Sequence, residues 1–271
     1  MRKHRTINGR IVVTMIRQGF AVRSFFLCAA AVASMLLLSL LAEFAQVSRM
    51  LTAIDSYGEI ELLSGYHMQL WLDGSKSSLF LVSLTVLCTL LQSSSCIDEQ
   101  KCGFQKLLLP RMGYLSYTVG KLLTALFVGG LVAVVGSMFA YFLLAIFFSR
   151  FEPATNLGQT ISSLFFNEIR IFVLGAFWSV LGMTASILFS SRQLAWSFPF
   201  LFYYLLEIFV RRFAISLFWL SPQTWGIVKE TENANSMIRA YLPLVICLIG
   251  TSVIYLSREW RILLGSMKKK S

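Results

Sequence analysis

The chain alternates between long apolar runs and short polar connectors. A bilayer core needs about 20 mainly apolar residues per helix. Six runs come near that length: 25–44, 79–97, 122–148, 171–190, 194–210 and 241–257. The fifth run contains Pro199, has Glu207 near one end and stops at Arg211 and Arg212. Apolar sequence resumes at Phe213 and is broken again at Ser221 and Pro222. Non-helical backbone at membrane depth is tolerated only where protein or water satisfies it. The stretch 211–240 therefore reads as an outer re-entrant hairpin, with Ala214 to Trp219 as a short re-entrant or interfacial helix. The pattern predicts an all-α, polytopic integral membrane protein in one membrane domain over 1–271.

Residues ahead of the first run have a different rhythm. Arg10, Thr14 and Arg17 share one helical face, and Val12, Ile16 and Phe20 lie opposite. A basic amphipathic segment of this kind lies on a membrane surface, so 1–24 is expected to be cytoplasmic and interfacial. The long basic preamble and the Leu41-Ala42-Glu43-Phe44-Ala45 junction favour a retained anchor over a cleaved signal sequence.

Composition fits this reading. Hydrophobic residues make up 56% and charged residues 14% of the 271, and mean hydropathy is +0.70. Soluble domains carry about 25% charge, so an ordinary soluble enzyme and a disordered chain are both excluded. The net charge of +11 could suggest nucleic acid, but its distribution points elsewhere. With the N-terminus inside, the cytoplasmic segments hold 16 of the 24 basic and three of the 13 acidic residues. That asymmetry is the positive-inside pattern. It predicts a multi-pass protein with both termini cytoplasmic and no nucleic-acid partner.

The connectors differ in content. The outer stretch from Ala45 to Ser78 has scattered acids (Asp55, Glu59, Glu61, Asp73) and Trp71, read as an interfacial anchor. Arg211, Arg212, Lys229 and Arg239 follow the fifth run, where snorkelling at the interface outweighs an anion-binding surface. The inner stretch 98–121 is the most informative. A short helix from Asp98 to Leu109 would put Asp98 and Glu99 at its positive N-terminus. It would present Phe104, Leu107 and Leu108 together and stop at Pro110. A half-exposed apolar patch on a cytoplasmic helix is a docking surface.

No catalytic constellation is legible. Gly113-x6-Gly120-Lys121-Leu122 has the wrong spacing and the wrong last residue for a phosphate-binding loop. His4 and His67 fall on opposite sides of the membrane. The cysteines Cys28, Cys88, Cys96, Cys102 and Cys247 form no Cys-x-x-Cys pair, so no metal site is predicted. Within the runs only Glu43 and Glu207 are ionisable, both near span ends, which argues against an ion-driven carrier. Small residues form two stripes: Ala125, Gly129, Ala133 and Gly136 in the third run, and Gly175, Ser179, Gly182 and Ser186 in the fourth. Both are expected to serve internal helix packing.

The inner stretch also resembles a family. Glu99, Gly103, Leu107, Leu108, Pro110, Arg111 and Lys121 follow, in order, the coupling-helix pattern of the permease subunits of type-2 ABC exporters. The break at Ser221-Pro222 resembles that family's outer hairpin, and Leu256-Ser257-Arg258-Glu259-Trp260 resembles its basic ending. The resemblance implies six spans and a bacterial plasma-membrane permease that exports substrate as a homodimer or heterodimer. It implies a separate cytoplasmic ATPase that carries ATP and magnesium, with no cofactor on this chain. Glu99, Gly103, Phe104, Leu107, Leu108, Pro110 and Arg111 would couple to that ATPase. Gln92, Ser93 and Ser94 of the second span, with Phe198, Phe202 and Tyr203 of the fifth, would line the pathway. The alternative class is a non-transporting membrane protein acting in immunity, assembly or an accessory role. A membrane enzyme is the weakest class, because no polar cluster is expected inside the spans.

Overall fold

A computed structural model describes residues 13–17, 23–41, 66–102, 114–148, 157–189, 191–213, 220–226 and 245–257. Every element among them is helical. The principal helices are α1 (Arg23–Ser39), α2 (Tyr66–Lys76), α3 (Ser78–Lys101), α4 (Tyr114–Phe148), α5 (Leu157–Phe189), α6 (Arg192–Phe213) and α7 (Val245–Ser257). A helical turn also covers 13–17, ahead of α1. Three helical stretches are long and apolar enough to cross a membrane: Ser116–Phe148, Leu164–Phe189 and Arg192–Phe213. A fourth span is formed if α2 and the first part of α3 count together, since they meet at a 63° bend. The apolar helices α1 and α7 are shorter.

Helix α5 is the axis of the bundle. It packs along α3, α4 and α6, and α1 leans on α3 and α4. The two predicted small-residue stripes meet at the α4–α5 contact. A Cβ at Gly129 would lie 2.2 Å from the Ser179 Cβ, and one at Gly175 would lie 2.7 Å from the Gly129 carbonyl oxygen. Lipid supplies no hydrophobic drive between helices, so this backbone proximity is itself a source of cohesion through dispersion contacts. Gly182 of the same stripe lies against Thr89 of α3. The stripes are thus internal packing surfaces.

Three expectations need correction. The outer stretch before the second span is not all connector, because α2 folds there and buries Leu70, Trp71, Leu72, Gly74 and Ser75. Trp71 is accordingly a core residue, fully buried, with its indole N–H donating to the Ser137 carbonyl at 3.3 Å. Its ring meets Tyr141 edge-on, and Tyr141 also pairs with His67. The second correction concerns Asp98 and Glu99. They occupy the last turn of α3, which runs unbroken to Lys101 and closes with Cys102 N–H on the Asp98 carbonyl at 2.9 Å. They therefore sit at a negative helix end, not at the start of a new helix. The third is that α5 begins well before Ile171, which draws polar residues into a span.

Candidate functional site

Among the described residues, three polar clusters are built onto this apolar bundle. The most buried one joins α2, α4 and α5. Asn167, Glu168 and Arg170 on α5 are 6%, 7% and 2% exposed. The Ser137 hydroxyl of α4 donates to Glu168 Oε1 at 2.8 Å. Arg170 Nη2 donates to Ser75 Oγ of α2 at 2.7 Å. Ser75 Oγ in turn lies 2.7 Å from the Leu72 carbonyl and 3.3 Å from Asn167 Oδ1. Opposite charges in one dry site offset each other's desolvation only when hydrogen bonds complete the geometry. Here the completion is partial: Glu168 Oε2 and Asn167 Nδ2 are buried without a hydrogen-bond partner among the described residues. This cluster contradicts the expectation that only Glu43 and Glu207 are ionisable within the apolar runs. The available signal was the tetrad Asn167-Glu168-Ile169-Arg170, flanked on both sides by apolar residues. Glu43 lies outside the described residues.

The second cluster lies where α3 ends and α4 and α6 begin. Lys121 Nζ is 2.5 Å from Glu99 Oε1, and the Tyr117 hydroxyl donates to Glu99 Oε2 at 2.5 Å. Tyr117 and Lys121 are one helical turn apart on α4, so both reach the same carboxylate. Next to this pair, Asp98 accepts a hydrogen bond from Arg192, the first residue of α6. Two adjacent acids at the end of α3 thus each hold a different helix. The cations also compensate for the unfavourable place of two carboxylates at a helix C-terminus.

The third cluster closes the other end of α6. Arg211 Nε donates to Glu207 Oε1 at 2.5 Å, one turn away. The other Glu207 oxygen accepts from Ser221, and Arg211 also donates to Gln223. These bonds tie the short segment 220–226 back onto α6. Trp225 then packs edge-on against Phe177 and lies beside Trp178 of α5. The chain does return to the bundle around Ser221-Pro222. Residues 214–219, where a re-entrant or interfacial helix is expected, lie outside the described residues.

Of the residues expected to couple to an ATPase, Glu99 is at the centre of the second cluster. Gly103, Phe104, Leu107, Leu108, Pro110 and Arg111 lie outside the described residues. Among the expected pathway residues, Phe198 and Phe202 stack on one another at 6.2 Å, half-buried against the core. Tyr203 is buried against Trp178. Gln92, Ser93 and Ser94 belong to α3, and their side chains are outside the described set. The hydroxyls of Ser83, Thr85 and Thr89 on that helix bond to carbonyls three residues back, a local arrangement that satisfies them within α3. Among the described residues no three His, Cys, Asp or Glu side chains converge as a metal site would require.

Comparison with protein-family models, with curated proteins and with solved structures returns no match for this chain.

Proposed function

We propose that the chain is the membrane-spanning subunit of an ATP-driven exporter. In this reading it has six spans and two cytoplasmic termini, works as a dimer in a cell membrane, and is driven by a separate ATPase that binds ATP and magnesium. The sequence of the 98–121 segment and the inside excess of basic residues support it. One structural observation adds most. Glu99, the acid that opens the coupling pattern, is ion-paired with Lys121, the lysine that closes it. The pair joins the two helices that flank the segment 103–113. Force applied to that segment would then reach α3 and α4 together, and through α3 the α6 helix held by Asp98. Such a transmission path needs contiguous contacts with two arrangements, and an ion pair at a helix junction can provide the element that shifts.

The test is association and transport. The chain is expressed with a candidate ATPase subunit and purified in mild detergent. Leu107→Ala with Leu108→Ala should abolish co-purification while leaving the chain folded. Glu99→Ala should keep association but uncouple ATP hydrolysis from transport in reconstituted vesicles. Retained association in the double variant, or no ATPase partner under any condition, would overturn the reading in favour of a non-transporting membrane protein.

A further inference from the structure

One open depression on the surface of the bundle has a chemistry that the permease reading does not use. It lies where α3 ends and α6 begins and has a volume of about 590 Å³. Among the described residues its lining is Lys101, Ser191, Arg192, Gln193 and Trp196. Pockets of roughly 300–1,000 Å³ are the size that holds small-molecule groups. We propose that this cavity binds a phosphate-bearing group, of which the head group of an anionic phospholipid is the source closest at hand.

Lys101 is exposed and makes no ion pair among the described residues. Arg192 gives one nitrogen to Asp98, yet its side chain stays half exposed. A guanidinium carries five N–H donors, so that single bond leaves donors available. With Glu99 already paired to Lys121, the neighbouring charges among the described residues are Lys101, Arg192 and Asp98, a net positive group. Arg192 is the first residue of a span-length apolar helix, so this rim stands where a span meets lipid head groups. Trp196, one turn further on, forms a cavity wall, and tryptophan is the side chain most at home at that level. A cationic rim over an aromatic wall matches a group that is anionic at one end and apolar at the other. Free inorganic phosphate has the same anionic chemistry without the apolar part.

The experiment uses the full-length chain. Retained lipid is measured by native mass spectrometry after reconstitution with phosphatidylglycerol or with phosphatidylcholine, and inorganic phosphate is titrated against delipidated protein in a thermal-shift assay. Wild type should retain phosphatidylglycerol over phosphatidylcholine. Lys101→Gln should lower that retention about fivefold, and Lys101→Gln with Arg192→Gln by more. Arg212→Gln, at the far end of α6, should change nothing. Because Lys101 has no ion pair among the described residues to lose, its variant stays informative even if Arg192→Gln destabilises the chain. A Lys101-dependent shift with inorganic phosphate, without any lipid preference, would identify free phosphate as the source. Equal retention of both lipids by wild type and K101Q, with no phosphate shift, would overturn the proposal.

Discussion

Helices α5 and α6 follow one another in the chain, and both are apolar and long enough to cross a bilayer. They nonetheless face different solvents. In the span window of α5, 83% of residues are buried inside the protein, against 22% in α6. Helix α5 faces its neighbours with glycine, alanine and serine, and keeps Asn167, Glu168 and Arg170 within the bundle. Helix α6 turns Leu201, Leu205, Ile208, Phe209 and Phe213 outward and has its charged residues at its two ends. A charge in the middle of a lipid-facing helix has nothing to compensate it, whereas a protein-facing helix can recruit partners from adjacent elements. Where a charge sits thus reports what surrounds the helix.

The contrast can be broken at several points. The largest effect is expected on α5 at Gly175, where a Cβ would meet the Gly129 carbonyl at 2.7 Å and the Ala133 Cβ at 2.8 Å. Gly175→Leu should cost more than about 3 kcal/mol and remove monodisperse protein from detergent extracts. Glu168→Ala comes next. It removes the buried acceptor of the Ser137 hydroxyl, and SDS titration of the purified chain should show a loss of about 1 to 3 kcal/mol.

The same substitution on α6, Glu207→Ala, removes the acceptor for Ser221 and Arg211 but leaves the Arg211–Gln223 bond and the Trp225 packing in place. Its expected cost is about 1 to 2 kcal/mol, with faster proteolysis near Ser221 as a second readout. Smallest is Leu205→Ala, on the outward face, which should stay within about 0.5 kcal/mol. If Leu205→Ala instead cost several kcal/mol, that face of α6 would be packed on protein, as against a second subunit.

Much of the bundle was legible in sequence because membrane helices announce themselves by continuous apolar length. The runs at α4, α5 and α6 are legible this way, whereas α1 and α7 are shorter apolar helices and α3 counts as a span only together with α2. The small-residue stripes were also legible, since spacing alone puts Gly175, Ser179, Gly182 and Ser186 on one face. What escaped had a physical cause. Helix α2 mixes His67, Gln69, Asp73 and Lys76 with its apolar residues, so a test of continuous hydrophobicity passes over it. Its burial depends on α4 and α5, distant in sequence. The polar tetrad at Asn167 was hidden by the opposite bias: ending an apolar window at the first charge assigns Glu168 and Arg170 to the loop. At the α3 end, the acids Asp98 and Glu99 could be read as a helix start as readily as a helix end. Their partners Arg192, Tyr117 and Lys121 decide the matter, and no local pattern reveals those pairings.

The 63° bend between α2 and α3 also constrains how the chain is made. Ser77 forms the corner: its hydroxyl donates to the Gly74 carbonyl at 2.8 Å and accepts the Phe80 N–H at 3.2 Å. The corner is therefore complete as soon as residue 80 has been synthesised. The polar face of α2 is not. Asn167 and Arg170, which receive Ser75, lie 92 and 95 residues further along. At about 5–20 residues per second, ribosomal elongation delivers them roughly 5 to 20 seconds later. Over that interval a short helix with an aspartate, a lysine and an unfilled serine site waits at the membrane for the helix that will cover it. The polar face of α2 is covered only once α5 has been made, so a chaperone or insertase that shields α2 during this delay would act on yield without touching the finished fold.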